Sequence, residues 1–137
     1  MAAFTLTSET KNTASTIRQL FEFLSDFKNF KQILPEDKVE NFQCSEHSCS
    51  FNIRGITPMT VTIKEKHPYD FILFSSEGLA KFNFSLKVLF TGEADQTGSC
   101  TIELLGDLNP FIKTMAEKPL TVLVNTMSSQ LAALHLS

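Results

Sequence analysis

From residue 39 onward apolar side chains recur at every second position, and from residue 120 onward at every third or fourth. That change of period divides the chain into a sheet and a closing helix. Phe42 and Cys44 alternate with polar neighbours; Cys49, Phe51 and Ile53 alternate with Ser50, Asn52 and Arg54; Met59, Val61 and Ile63 alternate with Thr60, Thr62 and Lys64. The clearest run sets Phe82, Phe84, Leu86, Val88 and Phe90 against Asn83, Ser85 and Lys87, and is followed by Cys100, Ile102 and Leu104 against Ser99, Thr101 and Glu103. Turn-forming residues at 45–48, 55–58, 67–70 and 93–98 separate the runs and predict an antiparallel meander. The stretch 71–75 is apolar at every second and third position alike, so its inward side stays open.

Ahead of this block, Phe4 and Leu6 alternate with Thr5 and Thr7, the pattern of a first strand, and a turn is expected around 11–14. Ser15 or Thr16 then caps a short helix, with Gln19 in capping-box position and Ile17, Leu20, Phe21 and Leu24 along one face. Ser25 and Asp26 break it; Phe27, Phe30, Ile33 and Leu34 form a second short apolar stripe that Pro35 ends. At the other end of the chain Asn109 suits an N-cap and Pro110 the first helical position, where a missing N–H costs nothing. Leu120, Leu123, Val124, Met127, Leu131 and Leu134 give the long helix of 109–136 its buried stripe. Pro119 removes one backbone bond at a cost of about 3 kcal/mol in a helix interior, so a kink or a split is expected there. A kink tilts Phe111, Ile112 and Met115 away from the later stripe and leaves room beneath the first turns. The expected fold class is therefore α+β: about seven antiparallel strands, curved around a long C-terminal helix, with two short helices between strands one and two.

At 137 residues the chain is expected to form a single domain, 1–137, large enough to bury a core without staples. Thirteen phenylalanines, one tyrosine and no tryptophan favour a dry interior with almost no polar ring handles. A net charge of -3 with scattered lysines lacks the basic footprint of a phosphate-backbone binder, so nucleic acid is not an expected partner. No stretch approaches the roughly 18 apolar residues of a membrane span, and residues 1–11 lack a basic region followed by an apolar run. The expectation is a cytoplasmic protein without stable membrane insertion. Three cysteines in such a chain predict free thiols. Cys44 and Cys49 stand where they face each other across a hairpin, which makes a disulfide the alternative in an oxidising setting. Cys44, His47 and Cys49 lack the fourth ligand or rigidly held water that zinc requires, so no metal site is expected.

The element order, together with Leu24-Ser25-Asp26, Phe30, Leu34-Pro35-Glu36 and the closing Asn109-Pro110 helix, resembles the START-like helix-grip superfamily. That group, also called SRPBCC, includes the birch-pollen-allergen proteins and the polyketide cyclases. The resemblance spans the whole chain and implies a cavity between sheet and long helix, which in the superfamily binds lipids, sterols, polyketides or plant hormones. The polar cavity groups or separate iron domains used by the family's cyclases and hydroxylating members have no counterpart at positions of this chain.

The inner faces set by the alternation carry Phe51, Ile53, Val61, Ile63, Phe82, Phe84, Leu86, Ile102 and Leu104, none of them ionisable. Arg54, Lys64, Lys87 and Glu103 fall on the other face, with Lys87 and Glu103 roughly opposite each other across a hairpin. His47, His67 and His135 lie far apart, and no Ser or Cys has an evident His partner. No catalytic residue and no cofactor is therefore assigned. The expected function is binding of a small apolar molecule, with Phe51, Phe71, Phe82, Phe84, Phe111, Met115, Leu123 and Met127 as cavity wall. Two other readings stay open. One is a cyclase or hydrolase-like enzyme, into whose cavity Tyr69, Ser75 or Asn41 would enter from strand ends. The other is a co-chaperone-like interaction module with a filled core, in which Leu89, Leu105 and either Ile72 or Phe74 point outward as a surface for a partner or a homodimer.

Overall fold

The computed structural model describes residues 2–34, 37, 39–46, 48–53, 58–76, 83–108 and 110–136. Strands β1 (Ala2–Thr7) and β2 (Lys11–Thr16) precede helix α1 (Ile17–Leu24) and a 3-10 helix (Phe27–Ile33). Six further strands follow: β3 (Val39–Cys44), β4 (Ser48–Ile53), β5 (Pro58–His67), β6 (Phe71–Ser76), β7 (Asn83–Thr91) and β8 (Thr97–Leu108). Helix α2 (Pro110–Ala133) closes the chain. All pairings are antiparallel in one sheet of order β1-β8-β7-β6-β5-β4-β3, with β2 also on β8.

The turn expected at 11–14 is instead strand, and it raises the count to eight. β8 is twelve residues long, so its outer edge can seat two strands in succession: Thr7 pairs with Glu103 and Lys11 with Cys100. Ser8 bridges the break, its N–H donating to the Ile102 carbonyl at 2.8 Å and its hydroxyl accepting from the Ile102 N–H at 2.8 Å. Beyond the break the buried positions of β2 are Thr13 and Ser15. The alternation is thus present but carried by hydroxyl residues, which a search for apolar alternation passes over.

The short helices form as their caps dictate. Thr16 and Gln19 exchange the reciprocal bonds of a capping box, and Ile17, Leu20, Phe21 and Leu24 are buried. Asp26 caps the 3-10 helix by accepting from the Lys28 N–H at 3.0 Å. At three residues per turn, Phe30 and Ile33 stack on one edge, and both are fully buried.

From β4 to β8 the described buried positions of the sheet are apolar: Cys49, Phe51, Val61, Ile72, Phe74, Phe84, Leu86, Val88, Phe90, Cys100, Ile102 and Leu104 are buried in one cluster with α1, the 3-10 helix and α2. Register settles the ambiguous stretch, since Ile72 pairs with Val88 and Phe74 with Leu86. Ile72 and Phe74 therefore point inward, not to the outer face as the interaction reading supposed. Lys87 does pair with Glu103. Cys44 and Cys49, register partners 4.1 Å apart at Cα, are disulfide-bonded. The tight turn closed by the Ser45 N–H on the Ser48 carbonyl at 2.8 Å brings them together, so the expectation of free thiols fails for these two and holds for Cys100.

Helix α2 runs unbroken through Pro119 and packs on β8, β2, β1 and the 3-10 helix. Its buried residues are Leu120, Leu123, Val124, Met127, Ser128, Leu131 and Ala132. Several polar ties fix this half. Ser128 Oγ donates to the Glu9 carbonyl at 2.9 Å, the Glu9 N–H donates to Asn125 Oδ1 at 3.0 Å, and Ser15 Oγ donates to the Leu134 carbonyl at 2.6 Å.

Candidate functional site

A cleft of about 330 Å³ opens where the end of the 3-10 helix, the start of β3 and the second half of α2 meet. Lys31, Gln32, Leu34, Val39 and Gln130 line it. Each element contributes for a local reason. Leu34 ends the 3-10 helix in extended conformation and turns its side chain into the core, where it is 2 % exposed. Val39 begins edge strand β3 and is half-buried against the same core. Gln130, with its amide oriented by its partners, donates to the carbonyls of Leu34 and Gln32 at 3.0 and 2.9 Å, tying α2 to the end of the 3-10 helix.

Next to the cleft runs a column of rings. Phe42 stacks on Phe51 at 6.0 Å, Phe51 meets Phe30 at 6.0 Å, and Phe30 meets Phe74 at 5.1 Å. Lys31 reaches over this column, its Nζ 5.9 Å from the Phe42 ring centroid. The column is held between the sheet and the 3-10 helix, so Phe30 fills part of the concavity that strand curvature alone would leave open.

The residues expected to form the wall separate into four groups. Phe51, Phe84, Leu123 and Met127 are buried in the core. Phe71 is not on the inner face: it lies outside the sheet, between the His67 ring at 4.3 Å and the Lys87 ammonium at 4.3 Å, because Ile72 takes the inward position. Phe111 and Met115, at the start of α2, are 75 % and 64 % exposed, which takes both out of the expected wall. Phe82 falls outside the described residues. None of the seven described ones is among the described residues lining the cleft. The cleft residues were missed because Leu34 and Val39 flank the regular runs rather than belong to them, and Gln130 interrupts an apolar helix face.

Acid–base candidates fare as follows. Tyr69 packs edge-on against Phe21 at 5.6 Å and accepts from Arg18 at 3.4 Å, Asn41 is exposed, and Ser75 sits on the outer face opposite Thr62. Asn41 and Ser75 stay out of the interior, and Tyr69 packs against the edge of the core with its hydroxyl directed to Arg18. His67 pairs with Glu65 at 3.4 Å on the surface, His135 is exposed, and His47 falls outside the described residues. Among the described residues the buried polar side chains are Ser8, Thr13, Ser15 and Ser128, and each is hydrogen-bonded. The Cys100 thiol is pushed up to about 11 by burial, with a smaller lowering by hydrogen bonding to the Ser128 side chain; the S–H itself points to the Ser128 carbonyl at 3.8 Å. It is therefore a neutral thiol at physiological pH, without the thiolate character of a nucleophile.

A second depression, about 570 Å³, is a shallow trough beside the sheet's outer face lined by Thr62, Lys64, Ser75, Ser76, Phe84, Ser85, Leu105 and Gly106. Three of its hydroxyls have partners: Thr62 meets Ser75 at 3.5 Å, and Ser76 Oγ accepts from the Phe84 N–H at 3.0 Å.

No family model matches the chain, and no curated protein sequence does. Solved structures do match in three dimensions. A START superfamily protein from Mycobacterium smegmatis superposes with a TM-score of 0.66 at 10% identity, covering 93% of this chain and 94% of that one. The Zhui aromatase/cyclase from Streptomyces sp. R1128 gives 0.67 at 14% identity, covering 95% and 94%. Norcoclaurine synthase from Thalictrum flavum, in complex with dopamine and hydroxybenzaldehyde, gives 0.69 at 8% identity, covering 96% and 85%. The chain has the START-like helix-grip fold, the SRPBCC architecture: a curved antiparallel sheet closed by a long C-terminal helix. No helix among the described residues is long and apolar enough to cross a membrane.

Proposed function

We propose that the protein binds a small apolar or amphipathic molecule, of lipid, sterol or polyketide-like character, in the cleft between the 3-10 helix, β3 and α2. The observation that carries this reading is the cleft itself. Its volume of about 330 Å³ lies at the small end of the range for ligand sites, roughly 300 to 1,000 Å³. It combines the apolar side chains of Leu34 and Val39 with a few polar groups, the composition that gives a ligand both burial and orientation. The fold supports the reading, since two of the similar structures are enzymes named for organic chemistry on small molecules. Transfer of catalysis to this chain has less support, because the buried set of described residues contains no Asp, Glu, Lys, Arg or His. Mass spectrometry of the purified protein under non-denaturing conditions tests the proposal. An apolar dye should bind with one-to-one stoichiometry, and Val39→Lys, which places a charge on the cleft wall, should abolish binding while the protein stays folded. Unchanged binding by that variant would move the site elsewhere.

A second reading, contact with another protein or a second copy, is favoured by Phe111 and Met115, two large apolar side chains one helical turn apart and exposed together. Sedimentation over a hundredfold concentration range tests it, with association expected in the natural chain and none after Phe111→Ser with Met115→Ser.

A further inference from the structure

One edge of the cleft is basic. Lys31 lines it, and Lys28 lies three residues earlier on the same 3-10 helix. In a helix of three residues per turn, side chains three apart eclipse, so the two lysines rise along one edge while Phe30 and Ile33 occupy the buried edge. The helix sequence, Phe-Lys-Asn-Phe-Lys-Gln-Ile, contains no acid. Asp26 caps its first turn through the Lys28 N–H, at the end away from the cleft. Glu40 follows Val39 on β3 and by strand alternation points to the other side of the sheet. Among the described residues Lys31 has no ion pair; its ammonium rests 5.9 Å from the Phe42 ring, at the outer limit of cation–π attraction. The Gln130 amide nitrogen is occupied by the carbonyls of Leu34 and Gln32, which leaves Lys31 as the charged donor among the described lining residues.

We infer that the ligand of this cleft is an amphipathic acid: its apolar part lies against Leu34 and Val39, and its carboxylate meets the Lys31 ammonium. The inference rests on the binding reading above and names its ligand class. An apolar body seated in the cleft displaces water from around Lys31, which raises the cost of an unpaired ammonium and strengthens its attraction to an anion. A neutral amphiphile of the same length gains the apolar contact alone.

Decanoic acid and 1-decanol, each competed against an environment-sensitive dye, separate the two contributions. The natural chain should bind the acid about tenfold more tightly than the alcohol, a preference of the size a charge-assisted hydrogen bond gives. Lys31→Gln should remove that preference and leave decanol binding unchanged, Lys31→Arg should keep most of it, and Lys66→Gln, remote on the surface, should change neither. Equal affinity for acid and alcohol in the natural chain, or equal loss for both in Lys31→Gln, would overturn the acid assignment while the binding reading stands. An equal effect from Lys66→Gln would reduce the preference to net charge and also overturn it. Failure of dye, acid and alcohol alike to bind would remove the binding reading together with this one.

Discussion

The two halves of α2 obey different rules although one helix contains both. From Leu120 to Ala132 the helix is embedded: its apolar stripe is buried, and Asn125 and Ser128 are tied to Glu9. From Phe111 to Lys118 the described side chains are mostly exposed, including the two largest apolar ones. Nine residues separate Phe111 from Leu120, about two and a half turns, so Phe111 stands on the side of the helix opposite Leu120. Met115, four residues after Phe111, shares its side. The difference teaches that a stripe read from one half of a helix fixes what that half buries and nothing more. In the first half, Phe111 and Met115 stand at helical spacing and are exposed.

Substitutions should expose this contrast as a large difference in stability. Leu120→Ala and Leu131→Ala each remove a fully buried side chain from the second half, and each should cost about 2 to 5 kcal/mol in denaturant unfolding. A loss below about 1 kcal/mol would mean that half is less tightly packed than its burial implies. Pro119→Ala restores an N–H toward the Met115 carbonyl at the junction and should stabilise the protein by about 1 to 3 kcal/mol, following the helix propensities of the two residues. A net loss instead would show that the proline's shape sets the angle at which the second half reaches the sheet.

Smaller effects test the polar ties. Ser128→Ala removes one of the two hydroxyl donors to the Glu9 carbonyl, the other being Ser8 at 3.0 Å, and should cost about 1 kcal/mol. Cys100, whose thiol meets the Ser128 carbonyl, adds a pH dependence. Its folded pKa, near 11, lies above the ordinary thiol value, so the unfolded chain loses its proton first. The stability due to the buried neutral thiol is whole below the ordinary thiol pKa and is lost as pH rises toward 11. Unfolding midpoints followed across that range should fall more steeply in the natural chain than in Cys100→Ala, and parallel curves would assign the alkaline loss to other groups.

Most of the architecture was legible because it follows from period. The runs at Phe84 to Phe90 and Cys100 to Leu104, the capping box of Thr16 with Gln19, and the stripe from Leu120 to Leu131 all take the places that alternation and spacing assign. What stayed hidden depends on register or on polar packing. Strand β2 buries Thr13 and Ser15, so its alternation has no apolar signature. Phe71 and Ile72 are equally apolar, and only pairing with β7 decides which turns inward. The cleft was the least legible part: its five described lining residues come from three elements, and Gln130 reveals its role only through the backbone carbonyls it reaches.

The smallest expected effect is the one that sharpens the contrast most. Phe111→Ser with Met115→Ser removes two large apolar side chains, yet both are mostly in solvent, and surface changes away from special features usually stay within about 0.5 kcal/mol. The double variant should therefore unfold at nearly the natural midpoint while Leu120→Ala does not. Should it instead lose as much stability as a core truncation, the first half of α2 would have to be packed against something in solution, either the sheet or another chain. Concentration dependence separates these: packing within one chain costs the same at every protein concentration, whereas contact between chains gives a midpoint that rises with concentration in the natural protein and stays flat in the variant.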